Sequence, residues 1–491
     1  MKRTVMNAVL TLSLSVLSAA AAHAGTGTMQ QIFTFPCPNN VFGGVCTDGY
    51  RPDVLIQASD GNFYGAAQLT TFGTSNPQGG TLFKVTPTGQ FTLLFTFRAD
   101  SHGNYVNGNN PASGLVEAND GFLYGLTFEG GTNNAGVLFR IRKTGTGFTV
   151  LHNFCSAANC ADGNLPHSLL LGQDGNLYGA TSLGGSSTAN CVVYGGCGTL
   201  FRFSPPNTLD TFFTFDGSST QGAQPVGLIQ GSDGNFYGAD GNRVFRITLG
   251  GKFTLLATFP KGNGFVPPNA DGGLLQASSG VLYGPLITYA INQAQFYEVH
   301  TSGTDFKEFP QIGTLAVDFS IPSLIQASDG NLWTAFTDTS SPNGTVIAMS
   351  PATGAVVRQF EFDGTNGATP EASVLQGADG KIYGTATAGG VASGSDVASG
   401  TVWTLDLGLP APKPVVPAFT PASGAAGTKV MIRGDHFIGT TAVTFNGVSA
   451  AFQVLDIQFI EVTVPAGSTT GPIAVTNAGG QTVTTKSFSV P

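Results

Sequence analysis

Charge is what this chain lacks most. Only 10% of its 491 residues are Asp, Glu, Lys or Arg, against about 25% in ordinary soluble domains. The basic sign is the scarcer one, 20 residues against 29 acidic, for a formal charge of −9. That balance argues against nucleic-acid binding through a basic face. Catalytic signatures are missing too: there is no Gly-x-Ser-x-Gly elbow, no His-Glu-x-x-His and no Walker loop. Past the N-terminus there is no apolar run of about 18 residues, so no transmembrane helix is expected in the mature chain. Histidine is sparse, and His102, His152, His167, His300 and His436 are scattered rather than grouped. The sequence calls for no cofactor and no metal.

What is abundant is glycine, at 69 residues, together with a 41% hydrophobic share that is enough to bury a core. Such a composition describes a turn-rich all-β protein. At the start, Met1-Lys2-Arg3, an apolar run to Ala22 and the Ala22-His23-Ala24 site have the three parts of a secretory signal peptide, residues 1–24. Export favours disulfides, and the six cysteines fall in three close pairs: Cys37 with Cys46, Cys155 with Cys160, and Cys191 with Cys197. Their spacing lacks the Cys-x-x-Cys pairs of a zinc site.

The organising stretch is Leu55-Ile56-Gln57-Ala58-Ser59-Asp60-Gly61-Asn62-Phe63-Tyr64-Gly65. Its Asp-Gly turn returns at Asp120, Asp174, Asp233, Asp329 and Asp379, with Ser279-Gly280 in the fifth unit, at intervals of 46 to 60 residues. Each unit reads as four antiparallel strands, the first two joined by a tight hairpin at Asp-Gly. Seven such units predict an all-β fold, a seven-bladed β-propeller over 27–407. The seventh unit lacks a fourth strand, and a matching one, Gln30 to Phe35, sits alone at the N-terminus. Closing the last blade with it removes exposed edges. A proline-rich linker, 408–417, leads to a compact sandwich at 418–491.

The core Ser-Asp-Gly-Asn-Phe-Tyr-Gly of Ser59 to Gly65, with Gly79 to Val85, resembles the GloVer tandem repeat of bacterial exported proteins over about residues 30–407. The family implies export and surface display, not a defined activity. Gly427-Thr428-Lys429-Val430 to Phe437, Val443 to Gly447, and Gly471 to Asn477 resemble an IPT/TIG immunoglobulin-like domain, a spacer or binding module. Asp329 to Trp333 is similar to the propeller of virginiamycin B lyase, a metal-dependent enzyme. That likeness is confined to one hairpin, and with no matching His and Glu it carries no catalytic role.

Strand direction gathers the long, variable connections and all three cysteine pairs on one face, the usual place for recognition. There the chain repeats a polar-Gly-x-x-Pro motif beginning at Asp48, Asn107, Asp162, Gln221 and Asn366. Turn chemistry explains it. A ring of carbonyl-bearing side chains binding a sugar or Ca²⁺ is the sharper alternative, although no Asp-x-Asp-x-Asp-Gly loop is present. Aromatics on the same face, Phe72, Tyr105, Phe128, Tyr194 and Phe265, suit sugar rings or simply pin the loops. The expectation is an exported binding or scaffold protein with polysaccharide or a surface protein as partner. A polysaccharide lyase or hydrolase on the same face, and a purely structural display protein, are the alternatives.

Overall fold

The computed structural model describes residues 27–37, 45–71, 79–111, 114–185, 191, 195–206, 208–240, 243–259, 263–264, 273–288, 293–314, 324–392 and 396–491. Residues 1–24, read above as a leader, and Phe72, Tyr194 and Phe265 lie outside them. Among the described residues the chain forms nine antiparallel sheets, seven of them between Thr28 and Asp406. The one helical element among the described residues is a 3-10 turn at Ala158–Cys160.

Within the first six sheets the main strands follow chain order, as short hairpins dictate. In the first sheet Val45–Gln57, Phe63–Thr71, Thr81–Val85 and Phe91–Thr96 lie side by side. The seventh sheet differs. Leu375–Gln376, Ile382–Ala386 and Val397–Asp406 are completed by the N-terminal strand Thr28–Cys37, which pairs Thr28 with Asp406 and Gln31 with Trp403.

The recurring Asp-Gly-Asn-x-Tyr-Gly is a packing device. Asp60 Oδ1 accepts from the Asn62 amide, and Asp60 Oδ2 accepts from the Tyr64 hydroxyl at 2.8 Å. The Tyr–Asp bond recurs at Tyr124, Tyr178, Tyr237 and Tyr383, each 2.7–2.8 Å long. In the sixth sheet the Trp333 indole donates to Asp329 instead. Burial, then the adjacent carboxylate, pushes the Tyr237 hydroxyl up to about 12, which keeps it a donor. The closing glycine of the motif is needed for space: a Cβ on Gly65 would lie 2.7 Å from the Phe83 ring crossing over it.

Neighbouring sheets are joined by a glutamine clasp. The backbone N–H one residue before the turn aspartate, or before Ser279 in the fifth unit, donates to a Gln or Glu side chain of the next sheet. Gln173 bonds Gln230 in this way, Ser232 bonds Gln276, Ser278 bonds Gln326, and Ser328 bonds Gln376. Ser59 uses Glu117, and Ala378 of the seventh sheet returns to Gln57 of the first at 2.8 Å. The first and seventh sheets also share an Arg51–Glu371 ion pair, a Thr385 hydroxyl bond to Asp53 O, and a Phe33–Phe91 stack at 4.3 Å. Apolar clusters fill the spaces between adjacent sheets, including one built from Phe35, Leu55, Phe83, Tyr383 and Val402 across that same junction.

The proline-rich stretch passes directly into Val415–Thr420, the first strand of a pair of four-stranded sheets. Val430, Ile432, Phe445, Ile460, Val475 and Phe488 form the core between them.

Candidate functional site

On the loop-rich face the polar-Gly-x-x-Pro motif has a conformational cause. The residue before each proline is left-handed: Arg51, Asn110, Leu165, Gln224 and Thr369 have φ between 54° and 57°. For non-glycine residues this costs about 1–2 kcal/mol each. The strained amides are used across the junctions. Asn110 N donates to Gly79 O, Leu165 N to Ala135 O, Gln224 N to Cys197 O and Thr369 N to Asn343 O, at 2.8–3.0 Å. Each carbonyl belongs to the preceding sheet, so the motif is an inter-sheet joint.

Each polar residue that opens the motif thus precedes a different one of these left-handed residues. Asp48 gives its carbonyl to the Thr81 hydroxyl at 2.9 Å, and burial raises its carboxyl above the ordinary value. Asn366 gives its carbonyl to Thr401 in the same way, and its side chain accepts from Asp363 N. Asn107 is exposed in a turn, and Gln221 is half-buried with its amide on the Ser218 hydroxyl. Tyr105 and Phe128 are half-buried, and Tyr105 O receives the amides of Gly108 and Gly131. Burial raises the Tyr105 hydroxyl.

Asp162 is the most committed of the set. It is buried, and it accepts from His152 Nε2 at 2.9 Å, Ser156 Oγ at 2.7 Å and the amides of Ser156 and Ala157. Burial opposes its charge, but these bonds outweigh burial and hold its carboxyl well below the usual range. Ser, His and Asp meet here without forming a nucleophilic relay. Serine and histidine both contact the carboxylate, whereas the relay needs the histidine between the other two. The cluster orders the loop closed by Cys155–Cys160.

All three expected disulfides are formed: Cys37–Cys46, Cys155–Cys160 and Cys191–Cys197. Among the described residues no group of three or more His, Cys, Asp and Glu is placed to hold a metal ion. A cleft of about 270 Å³ opens where the first and seventh sheets meet. Tyr50, Arg51, Thr369, Thr387 and Ser399 line it, beside Cys37. Asp48 and Asn366 precede its lining by two and three residues. The cleft depends on strands from opposite ends of the chain, so local spacing gave no sign of it.

Residues 51–290 match the Gloeobacter/Verrucomicrobia repeat, and residues 414–490 match the IPT/TIG domain. The chain carries Gloeobacter/Verrucomicrobia repeats followed by a C-terminal IPT/TIG domain. This combination fits a surface or extracellular scaffold, and three disulfides are consistent with export. No described helix is long and apolar enough to cross a membrane. No curated protein matches the chain significantly. Among solved structures it is similar to PorZ, a surface component of the type-IX secretion system of Porphyromonas gingivalis. That match has 12% identity and a TM-score of 0.47, over 92% of this chain and 60% of that one. It is similar also to an oligogalacturonate lyase of Vibrio parahaemolyticus, at 10% identity and TM-score 0.45, over 77% and 93% of the two chains. A fungal copper alcohol oxidase matches at 13% and 0.45, over 95% and 100%. Likeness at this level carries no functional argument.

Proposed function

We propose that the repeat protein is an exported scaffold whose seven sheets are the blades of one closed propeller over 27–407, linked through 408–417 to the IPT/TIG domain at 418–491. It recognises polysaccharide through its loop-rich face. The observation that carries this reading is the cleft at the closing junction, where an aromatic ring, a guanidinium and three hydroxyls surround one concavity. Sugars present apolar CH faces to aromatic rings and hydroxyls to polar groups, so Tyr50 and Arg51 supply both kinds of contact. Rigid walls favour recognition because little ordering entropy remains to be lost.

The test is retention of the full exported chain on a panel of immobilised polysaccharides, beside Tyr50→Ala and Thr387→Ala. Retention that weakens at least tenfold in Tyr50→Ala is expected, a loss of about 1.4 kcal/mol. Retention unchanged in both variants would move the site elsewhere. Failure of the native chain to bind any polysaccharide would sink the ligand class and leave a protein partner or pure display.

A further inference from the structure

Six of the seven junctions carry a Gln or Glu at the clasp position, and the junction between the second and third sheets carries Leu171 instead. Leucine has no acceptor, so that clasp cannot form. The C-terminal domain sits at this junction. Phe459 is buried in the apolar cluster shared by the second and third sheets, with Leu171 and Ala118, and Met431 and Leu455 pack against the same cluster. A cleft beside the contact is lined by Asn119, Gln173 and Asp174 from the ring and by Phe419 and Arg433 from the domain. The linker is pinned elsewhere, where Ser328 and Gln376 donate to Pro410 O. The domain therefore reaches across the turn face to find the unclasped junction.

A carboxyl lies at that contact. Asp456, between Leu455 and Phe459, is fully buried. Its Oδ1 accepts from Gln458 N at 2.7 Å, while its Oδ2 has no hydrogen-bond partner among the described residues. The groups that face it are acidic: Glu117 from the ring and Asp435 from its own domain. Glu117 is already committed to Lys143 and Ser59. Across the cleft, burial lowers the Arg433 guanidinium, and the Asp174 charge partly opposes that shift. Glu117 is also the only Glu among the clasps, so both departures from glutamine flank the docked domain.

We propose that Leu171 and its surrounding apolar patch address the IPT/TIG domain to this junction, and that docking is proton-linked through Asp456, weakening as pH rises. The inference is independent of any ligand on the opposite face. Burial first, then Glu117 and Asp435, push the Asp456 carboxyl from 3.8 up to about 7. A raised carboxyl favours the protonated form. Docking is thus strongest near the ordinary value, declines as pH climbs toward about 7, and is level above it. The docked-to-undocked ratio changes by up to tenfold per pH unit in that window.

The test uses the full exported chain labelled with ¹³C-aspartate, the Asp456 carboxyl being assigned by its loss in Asp456→Asn. Met431→Glu places a charge in the contact from the domain side, and Leu171→Gln removes the address from the ring side. Small-angle scattering should show a larger radius of gyration in both, with the Asp456 carboxyl titrating lower than in the native chain. A radius of gyration unchanged in both variants would overturn the address. Expansion with an unmoved Asp456 titration would show that its own domain buries it, and would overturn the proton linkage.

Discussion

The turn tyrosines offer a comparison inside one molecule. Tyr178 is fully buried and donates to Asp174 Oδ2 at 2.8 Å, whereas Tyr283 belongs to the one unit with Ser279 in place of the aspartate. Its hydroxyl makes one long contact, to Pro351 O at 3.5 Å, and burial and then the nearby Glu298 carboxylate raise it. Replacing each by Phe removes one oxygen and leaves the ring packing intact. A bond to a charged acceptor contributes roughly 1.5–3 kcal/mol. Asp174 is partly solvated and keeps its bonds from Asn176, so the lower end, about 1.5 kcal/mol, applies to Tyr178→Phe. For Tyr283→Phe the loss is smaller, about 0.5 kcal/mol, because the contact to Pro351 O is long and Glu298, though near, makes no bond of ordinary length with the hydroxyl. Urea unfolding followed by the buried Trp333 and Trp403 would read the first as a fall in midpoint of about 0.5 M, if m is about 3 kcal/mol/M.

The pH dependence sharpens the comparison. Burial raises the Asp174 carboxyl, but its bonds from Asn176 and Tyr178 outweigh burial and hold it below 3.8. A depressed carboxylate gives stability that is present above its ordinary value and lost as pH falls through the folded one. The gap between the two variants should therefore be full at neutral pH and shrink in acid. Equal midpoints for Tyr178→Phe and Tyr283→Phe, or a gap that ignores acid, would refute the assignment of the motif to stability through a charged turn.

Two further outcomes are expected. Gly65→Ala sets a methyl 2.7 Å from the Phe83 ring and should cost about 1–3 kcal/mol by overpacking, seen as a lower melting temperature. Gln57→Ala removes the acceptor for Ala378 N and the donor to Gly61 O together. It should destabilise by about 1–3 kcal/mol and speed amide exchange at Ala378, measured by hydrogen exchange.

Local chemistry made most of the fold legible. Asp-Gly turns with positive φ at Gly61 and strand alternation were enough to expect four-stranded antiparallel units, because a hairpin is decided within a dozen residues. The cysteine pairs were legible for the same reason: partners 5 to 9 residues apart leave little choice. The polar-Gly-x-x-Pro motif was visible as a pattern but not as a joint. Its amides bond to carbonyls of the preceding unit, and nothing in the motif names the acceptor. Asp162 stood out for its place in the motif, while its actual partners, His152 and Ser156, carry no recurring signal.

The cleft was less legible still, since Arg51 meets Thr369 only once the two ends of the repeat array come together. Repetition itself held one clue that local reading passes over. In an array of near-identical units, conformity reports the shared joint and deviation reports what is not shared. Leu171 and Glu117 are unremarkable residues one at a time. They become informative because every other unit has glutamine at that place, and because the C-terminal domain packs where they stand. A substitution that forfeits a hydrogen bond at one junction while its six counterparts keep theirs needs a compensating contact. Phe459, buried against Leu171, supplies it.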